Sequence, residues 1–414
     1  MLLRLNVLAG GALALISACA SAPTPADLVV TDVTVYSGLA EPAFRAAVAV
    51  KDGAFIAVDR DRPKRYAAER TIDGRNLFLM PGLWDMHVHL ANNETHAIDA
   101  AAFPQYGVTS VRDLGGLPGR IAALSSEIGS SARQGPTIYS VGPTLNGKAF
   151  APFHRAVATE EETRSAVDEL AASGADMIKV HRAFKPELLP VVIEAAHAHG
   201  LKVTGHIPLG VHPLDACNLG MYGVEHVGSF IEALVSVAPP EEANTDSAIA
   251  YMESDEAAGV YACFGERHVF MTPTLVIYPA VARSVSENGV MPPDFAAFIA
   301  AMKRITLAFH ESGALLLAGT DAAYNETLAI PAGSALPEEL SLLQSSGVSP
   351  ADIIVIATSN AARALGVQEK TGVIAAGKQA DFLLLQADPG ADIRNVSKLE
   401  AVFKGGVRQD ISKE

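Results

Sequence analysis

The feature that most restricts the fold is an alternation, repeated through the middle of the chain, of short apolar strand-like runs with longer segments of helical periodicity. Parallel neighbours need a connection that returns to the starting end, so this alternation is the signature of a parallel sheet with crossover helices. Eight strands are predicted, at residues 83–89, 108–113, 137–141, 176–180, 202–206, 223–226, 269–275 and 315–320. Segments 160–172, 186–199 and 349–364 carry apolar residues three and four apart and read as helices covering those strands. The count fits an α/β fold of the closed (β/α)8 TIM-barrel type. An open doubly wound sheet needs a Gly-rich phosphate turn after its first strand, and no such turn follows residue 89. Residues 230–265 exceed what one crossover requires and predict added helix or a lid over the sixth loop.

The flanks have a different style. Residues 28–79 are β-branched, turn-broken and without helix periodicity, with Asp52-Gly53 as a turn signal, and a similar pattern returns at 371–374, 380–385 and 401–406. The two terminal segments are expected to pair into a small β-sandwich of residues 28–80 and 369–414, leaving 81–368 for the barrel. With 414 residues, 49% of them hydrophobic, the chain is long and apolar enough to bury a large core and to carry such an accessory domain. A formal net charge of −15 without a basic stripe argues against a nucleic-acid partner.

Arg4 is the one charge in residues 1–18, and the apolar run 8–16 is too short to span a bilayer, so 1–18 read as an export signal. Its end, Ile16-Ser17-Ala18-Cys19, resembles the lipobox of bacterial lipoproteins, with Cys19 as the lipidated residue and 19–27 as a tether. The expected location is the periplasmic side of a membrane, the outer one in a Gram-negative cell, with membrane contact through the lipid anchor only. With Cys19 so used, Cys217 and Cys263 remain, far apart in sequence; their spacing neither establishes nor excludes a disulfide, and buried free thiols are the default expectation.

Chemistry concentrates at the strand ends. His87 and His89 close the first strand, and side-chain alternation turns both imidazoles to one face. Alone this is a weak signal. The fourth, fifth, sixth and eighth strands then end at Lys179, His206, His226 and Asp321. In a barrel such ends meet at one mouth, where these folds do their chemistry.

The order His-x-His, Lys, His, His, Asp resembles the binuclear amidohydrolases over nearly the whole chain. The stretches Gly205-His206-Ile207-Pro208, Glu225-His226, Leu317-Ala318-Gly319-Thr320-Asp321-Ala322 and Gly377-Lys378-Gln379-Ala380-Asp381 are similar to the imidazolonepropionase-like and Xaa-Pro dipeptidase-like branch. The resemblance implies two divalent ions, with zinc expected, and a carbamate on Lys179 bridging them. His87, His89 and Asp321 would complete one site, His206 and His226 the other. It further implies attack by a metal-bridging hydroxide on an amide or peptide bond, with Asp321 as general base and acid. The sequence departs from the dipeptidase pattern twice. Val227-Gly228-Ser229-Phe230 has no tyrosine after the sixth-strand histidine, and Pro337 stands where the branch commonly has histidine.

His154, His181 and Tyr324 are candidates for substrate contact at the third, fourth and eighth loops. His197 and His199 precede Gly200 at a helix C-terminus and read as structural; His96, His212, His268 and His310 carry no assigned role. The expected partner is a small molecule or dipeptide, and a homo-oligomer is compatible with the sequence. Alternatives are a mononuclear relative that opens an imidazolone ring or deaminates a base, against which Lys179 counts, a cyclic-amide, lactone or organophosphate hydrolase using the same metals, and a non-catalytic solute-binding lipoprotein.

Overall fold

The computed structural model describes residues 22–60, 66–90, 100–285, 293–322 and 330–412. The export segment with Cys19, and also His96 and Tyr324, fall outside the described residues. The chain opens with five strands, β1 (Thr24–Val35), β2 (Phe44–Lys51), β3 (Ala54–Asp59), β4 (Tyr66–Asp73) and β5 (Phe78–Pro81). Ten follow in the middle: β6 (Leu83–Val88), β7 (Val108–Asp113), β8 (Thr137–Ser140), β9 (Thr144–Asn146), β10 (His154–Ala156), β11 (Ile178–Val180), β12 (Val203–Gly205), β13 (Gly223–Glu225), β14 (Phe270–Thr272) and β15 (Leu315–Leu316). Three more, β16 (Phe382–Leu385), β17 (Leu399–Lys404) and β18 (Val407–Arg408), end the chain.

Each of the eight strands expected in the middle of the chain is present, at β6, β7, β8, β11, β12, β13, β14 and β15. They lie in three parallel sheets ordered β6-β7-β8, β10-β9-β11-β12 and β13-β14-β15. Backbone hydrogen bonds cross the seams between the sheets, from Asp176 to the Ser140 carbonyl at 2.8 Å and from Tyr222 to the Val203 carbonyl at 2.9 Å. At the third seam Met86 donates to the Ala318 carbonyl at 2.8 Å and Asp321 to the His87 carbonyl at 2.7 Å, beside a parallel bridge of Val88 with Ala322. The arrangement is α/β and TIM-barrel-like.

The terminal segments share one hydrogen-bonded group of eight strands, in the order β18-β17-β16-β5-β1-β2-β3 with β4 paired to β1. β1 begins at Thr24, so part of the stretch expected to be tether is strand. The segment reaches so far because Thr24–Ala26 and Leu28–Thr31 pair in parallel with β4, while Thr34 and Val35 pair with β5. Between these pairings the ladder to β2 shifts register at a bulge where Asp32 takes φ 52°. Buried Val30, Val48, Phe55, Leu79, Phe382 and Phe403 share one apolar cluster, and the last two rings stack 4.4 Å apart, so both chain ends bury one face together.

Two further sequence expectations change. Residues 349–364 form two helices, Pro350–Ile356 and Ser359–Leu365, because Thr358 leaves helical geometry at φ −137° and ψ −89° and its hydroxyl donates to the Ile354 carbonyl. Cys217 and Cys263 are joined in a disulfide, not free. The helices carrying them, Pro213–Leu219 and Ala258–Glu266, pack together across 46 residues of sequence, a neighbourhood that cysteine spacing does not encode. The long stretch 230–265 is helical as expected, with Gly228–Val237 and Thr245–Met252 preceding Ala258–Glu266.

Candidate metal centre

His87 lies in β6 and His89 one residue beyond it, and both are buried. Lys179, on β11, is 3% exposed, and its ammonium lies 3.4 Å from His87 Nε2. His206 and His226 immediately follow β12 and β13. Asp321 Oδ1 lies 3.2 Å from His87 Nε2 and 3.1 Å from His89 Nε2, yet it has no aligned hydrogen-bond donor. Ligand atoms of His87, His226 and Asp321 all fall within 4.8 Å of one another. Rings of His87 and His226 are 4.6 Å apart, and those of His226 and His206 4.9 Å. The six side chains expected to converge therefore face one cavity of about 190 Å³, together with Phe153, His154, His181 and Arg182.

Local backbone geometry explains how the strand ends aim inward. His226, Thr274 and Asp321 have φ of 64°, 49° and 60°, a left-handed conformation that costs a residue with a Cβ on the order of 1 kcal/mol. Such residues persist where surroundings over-determine them, and here hydrogen bonds do so. His226 Nδ1 lies 2.7 Å from Thr274 Oγ1, whose own hydroxyl donates to the Pro273 carbonyl. The Thr274 oxygen is thus the acceptor, the His226 proton sits on Nδ1, and Nε2 keeps its lone pair. Beneath Asp321, the buried Asp85 carboxylate accepts from the Thr320 hydroxyl at 2.7 Å, the Thr320 amide at 3.0 Å and the His87 amide at 3.3 Å. Burial pushes Asp85 up to about 7 against these hydrogen bonds.

Charge states suit a divalent cation. Burial lowers His89 to about 4 and His226 to about 3, and it drives His206 well below the ordinary imidazole value, so these rings are neutral donors. Burial also lowers Lys179 to about 8, against the pull of Asp321 and Glu225, which brings its neutral amine within reach near physiological pH. For Asp321 burial acts upward, but its close electrostatic and hydrogen-bonding contacts with His87, and then His89, prevail and hold the carboxyl well below its usual range. His206 Nδ1 is buried without a hydrogen-bond partner, as is Asp321 Oδ1. Buried polar atoms left so are costly unless a cation or proton satisfies them. Orphaned acceptors, neutral imidazoles and an ionised carboxylate fit a bound divalent metal.

Sequence reasoning missed the polar layer beneath the cavity. Glu225 was visible only as part of a family-like stretch, and Arg112, Thr204 and Thr272 carried no motif. Arg112 Nη2 donates to Glu225 Oε1 at 2.6 Å with both side chains fully buried, and Glu225 Oε2 lies 3.1 Å from His87 Nδ1. Burial pushes Glu225 up, but Arg112 and the His87 and Thr204 hydrogen bonds outweigh it and keep the carboxyl ionised. β9 and β10, within a stretch read as loop, carry Asn146 and His154, of which His154 lines the cavity. His154 and His181 face the cavity, their rings 5.0 Å apart. The remaining histidines stand apart from it: His199 pairs with Asp168 at 2.7 Å, His212 caps Pro213–Leu219 through Nδ1, and His310 lies 3.5 Å from Asp352.

Comparison with known proteins agrees with this picture. Ochratoxinase of Aspergillus niger is 25% identical across an alignment of 446 positions that takes in 90% of this chain and 85% of that protein. A solved Xaa-Pro dipeptidase with methionine bound in its active site has a TM-score of 0.73 at 22% identity, covering 92% of this chain and 99% of that one. Bottromycin amidohydrolase has a TM-score of 0.72 at 20% identity, covering 92% and 86%. At such identities these two structures establish a shared fold. The sequence also matches the Amidohydrolase family over residues 78–408, a span that includes every side chain of the metal centre. The chain belongs to the amidohydrolase family and is a hydrolase acting on carbon–nitrogen bonds.

Proposed function

We propose that the chain is a binuclear metal-dependent amidohydrolase that cleaves an amide or peptide bond of a small substrate. The observation that carries this reading is the convergence of His87, His89, Lys179, His206, His226 and Asp321 on one cavity. In it, Lys179, as a carbamate, would hold both of two ions, with zinc expected. His87, His89 and Asp321 would hold one of them, and His206 and His226 the other. The bound ions supply an acidified water and polarise the substrate carbonyl.

The chain's own groups do the rest. Asp321, ionised and aimed into the cavity, takes a proton from the attacking water as the new C–O bond forms. It then returns that proton to the nitrogen as the C–N bond breaks. His154 and His181 contact the substrate, and the hydrogen bonds around them say in which form. Asn146 Oδ1 accepts the Gly147 amide, so its NH2 faces His181 Nδ1 at 3.3 Å. Phe150 donates its amide to His154 Nδ1 at 3.2 Å. Both rings therefore carry their proton on Nε2 and are N–H donors for a carbonyl or carboxylate oxygen. Tyr324 is a third candidate contact. A dipeptide is one candidate substrate, with cyclic amides and lactones as further arms of the test.

Metal analysis of protein purified without chelator should give about two ions per chain. Lys179→Ala should lose metal and fall to background on a panel of dipeptides, N-acyl amino acids, cyclic amides and lactones. Turnover in that variant comparable with wild type would overturn the bridging role.

The same reading closes the three parallel sheets into one (β/α)8 barrel at 81–368 and folds the terminal strands into a sandwich at 28–80 and 369–414. Slow amide exchange at Met86 and Asp321, which donate across a seam, is expected; rapid exchange there would indicate an open sheet. We further propose export and lipidation at Cys19, a location supported by the Cys217–Cys263 disulfide, which persists in oxidising compartments. Mass spectrometry of the mature N-terminus should find the lipid on Cys19, and an unmodified cysteine there would rule it out.

A further inference from the structure

Under the metal centre lies a group of side chains from five strands that the proposed chemistry leaves without a task. Glu225 ends β13 with its side chain fully buried. Its Oε1 accepts from Arg112 Nη2 on β7 and from Thr204 Oγ1 on β12, each at 2.6 Å. Its Oε2 is 3.1 Å from His87 Nδ1. The guanidinium that anchors it is itself fixed: Arg112 Nε donates to the Met86 carbonyl at 2.8 Å, Nη2 also reaches Thr272 Oγ1 at 3.3 Å, and the cation stands 4.9 Å over the Phe270 ring. A buried ion pair of this kind adds little stability over an apolar replacement, so its presence is not explained by stability.

We infer that Glu225 is a positioning residue for His87, fixing the imidazole as its Nδ1–H tautomer so that Nε2 meets the metal centre with its lone pair. With Oε1 engaged by two donors, Oε2 is left as an acceptor, and among the described residues its hydrogen-bonding neighbour is His87 Nδ1. His87 Nε2 then points to Asp321 Oδ1 at 3.2 Å and to Lys179 Nζ at 3.4 Å. The charge of Glu225 strengthens Nε2 as a donor, which a neutral acceptor would do less well.

The inference rests on the proposed metal chemistry, but its first test does not. Glu225→Gln preserves shape. Its amide oxygen still satisfies Arg112 and Thr204, but that turns its NH2 toward His87 Nδ1. Nδ1 must then accept, and the proton moves to Nε2, the ligand atom. In metal-free protein with 15N-labelled histidine, the His87 resonances, assigned by their loss in His87→Gln, should report Nδ1–H in wild type and Nε2–H in Glu225→Gln. Zinc affinity measured against a competing chelator should fall about 10- to 100-fold in Glu225→Gln, with circular dichroism and melting of the metal-free protein close to wild type. A folded Glu225→Gln that holds zinc as tightly as wild type overturns the inference. If that variant fails to fold, the wild-type tautomer decides alone, and Nε2–H there overturns it as well. A wild type that binds no zinc would instead sink the proposed function, while the tautomer measurement would still judge Glu225.

Discussion

Gly205 shows how much a single residue contributes to the centre. It ends β12 at φ 134°, and a Cβ built there would fall 1.9 Å from the Val180 carbonyl oxygen, which accepts the His206 amide. Gly205→Ala should therefore push β12 from β11, lower the melting temperature by several degrees and release metal held by His206 and Lys179. A melt and metal content equal to wild type would contradict this. Lys179 carries a second residue-scale expectation. With its amine lowered to about 8, it is mostly protonated and unreactive at pH 6 and becomes available as pH rises through 8. Reactivation of metal-stripped, decarboxylated enzyme at fixed dissolved carbon dioxide should accelerate over that window, and a pH-independent rate would count against the carbamate. Ligand types and order were legible in the sequence because alternation and strand ends dictate them. Arg112 and Glu225 were not, because their partners come from three other strands and no spacing along the chain encodes that meeting.

Among the elements, the helix Ala335–Ser345 supports the seventh loop through one buried acid. Glu339 Oε2 accepts the Val276 amide at 2.7 Å, just after the Thr274 that orients His226. Burial pushes Glu339 up to about 8, against the Val276 and Leu275 amides. A carboxyl raised in the folded state binds its proton more tightly there than in the unfolded chain. Its contribution is therefore complete below the unfolded value near 4.5 and is lost as pH rises toward 8, at up to about 1.4 kcal/mol per pH unit. Melting temperature should decline from pH 5 to pH 8, and Glu339→Gln should flatten that decline; an unchanged slope would show that Glu339 is not its source. Elements with strong periodicity were legible, as the helix Glu160–Ala172 illustrates. The break at Thr358 and the short strands β9 and β10 were not. The other short strands were marked by helical segments between them, whereas β8, β9 and β10 succeed one another with no helix between, and a side-chain hydrogen bond inside a helical pattern leaves no mark on periodicity.

For the molecule as a whole, the Cys217–Cys263 crosslink closes a loop across 46 residues that includes the sixth strand and the helices after it. Replacing both cysteines by alanine should cost about 2–4 kcal/mol, read as a lower denaturation midpoint in non-reducing buffer; an unchanged midpoint would refute a stabilising role. The pairing of the chain ends has a different consequence. β5 sits between β1 and β16, with Leu79 opposite Leu384 and Met80 opposite Leu383. The strand leading directly into the first metal ligands thus keeps an open edge until residues 382–385 have left the ribosome. The final locking of the catalytic half therefore waits for those residues, and a nascent chain stalled before residue 382 would present Leu79 and Met80 to whatever binds unpaired edges.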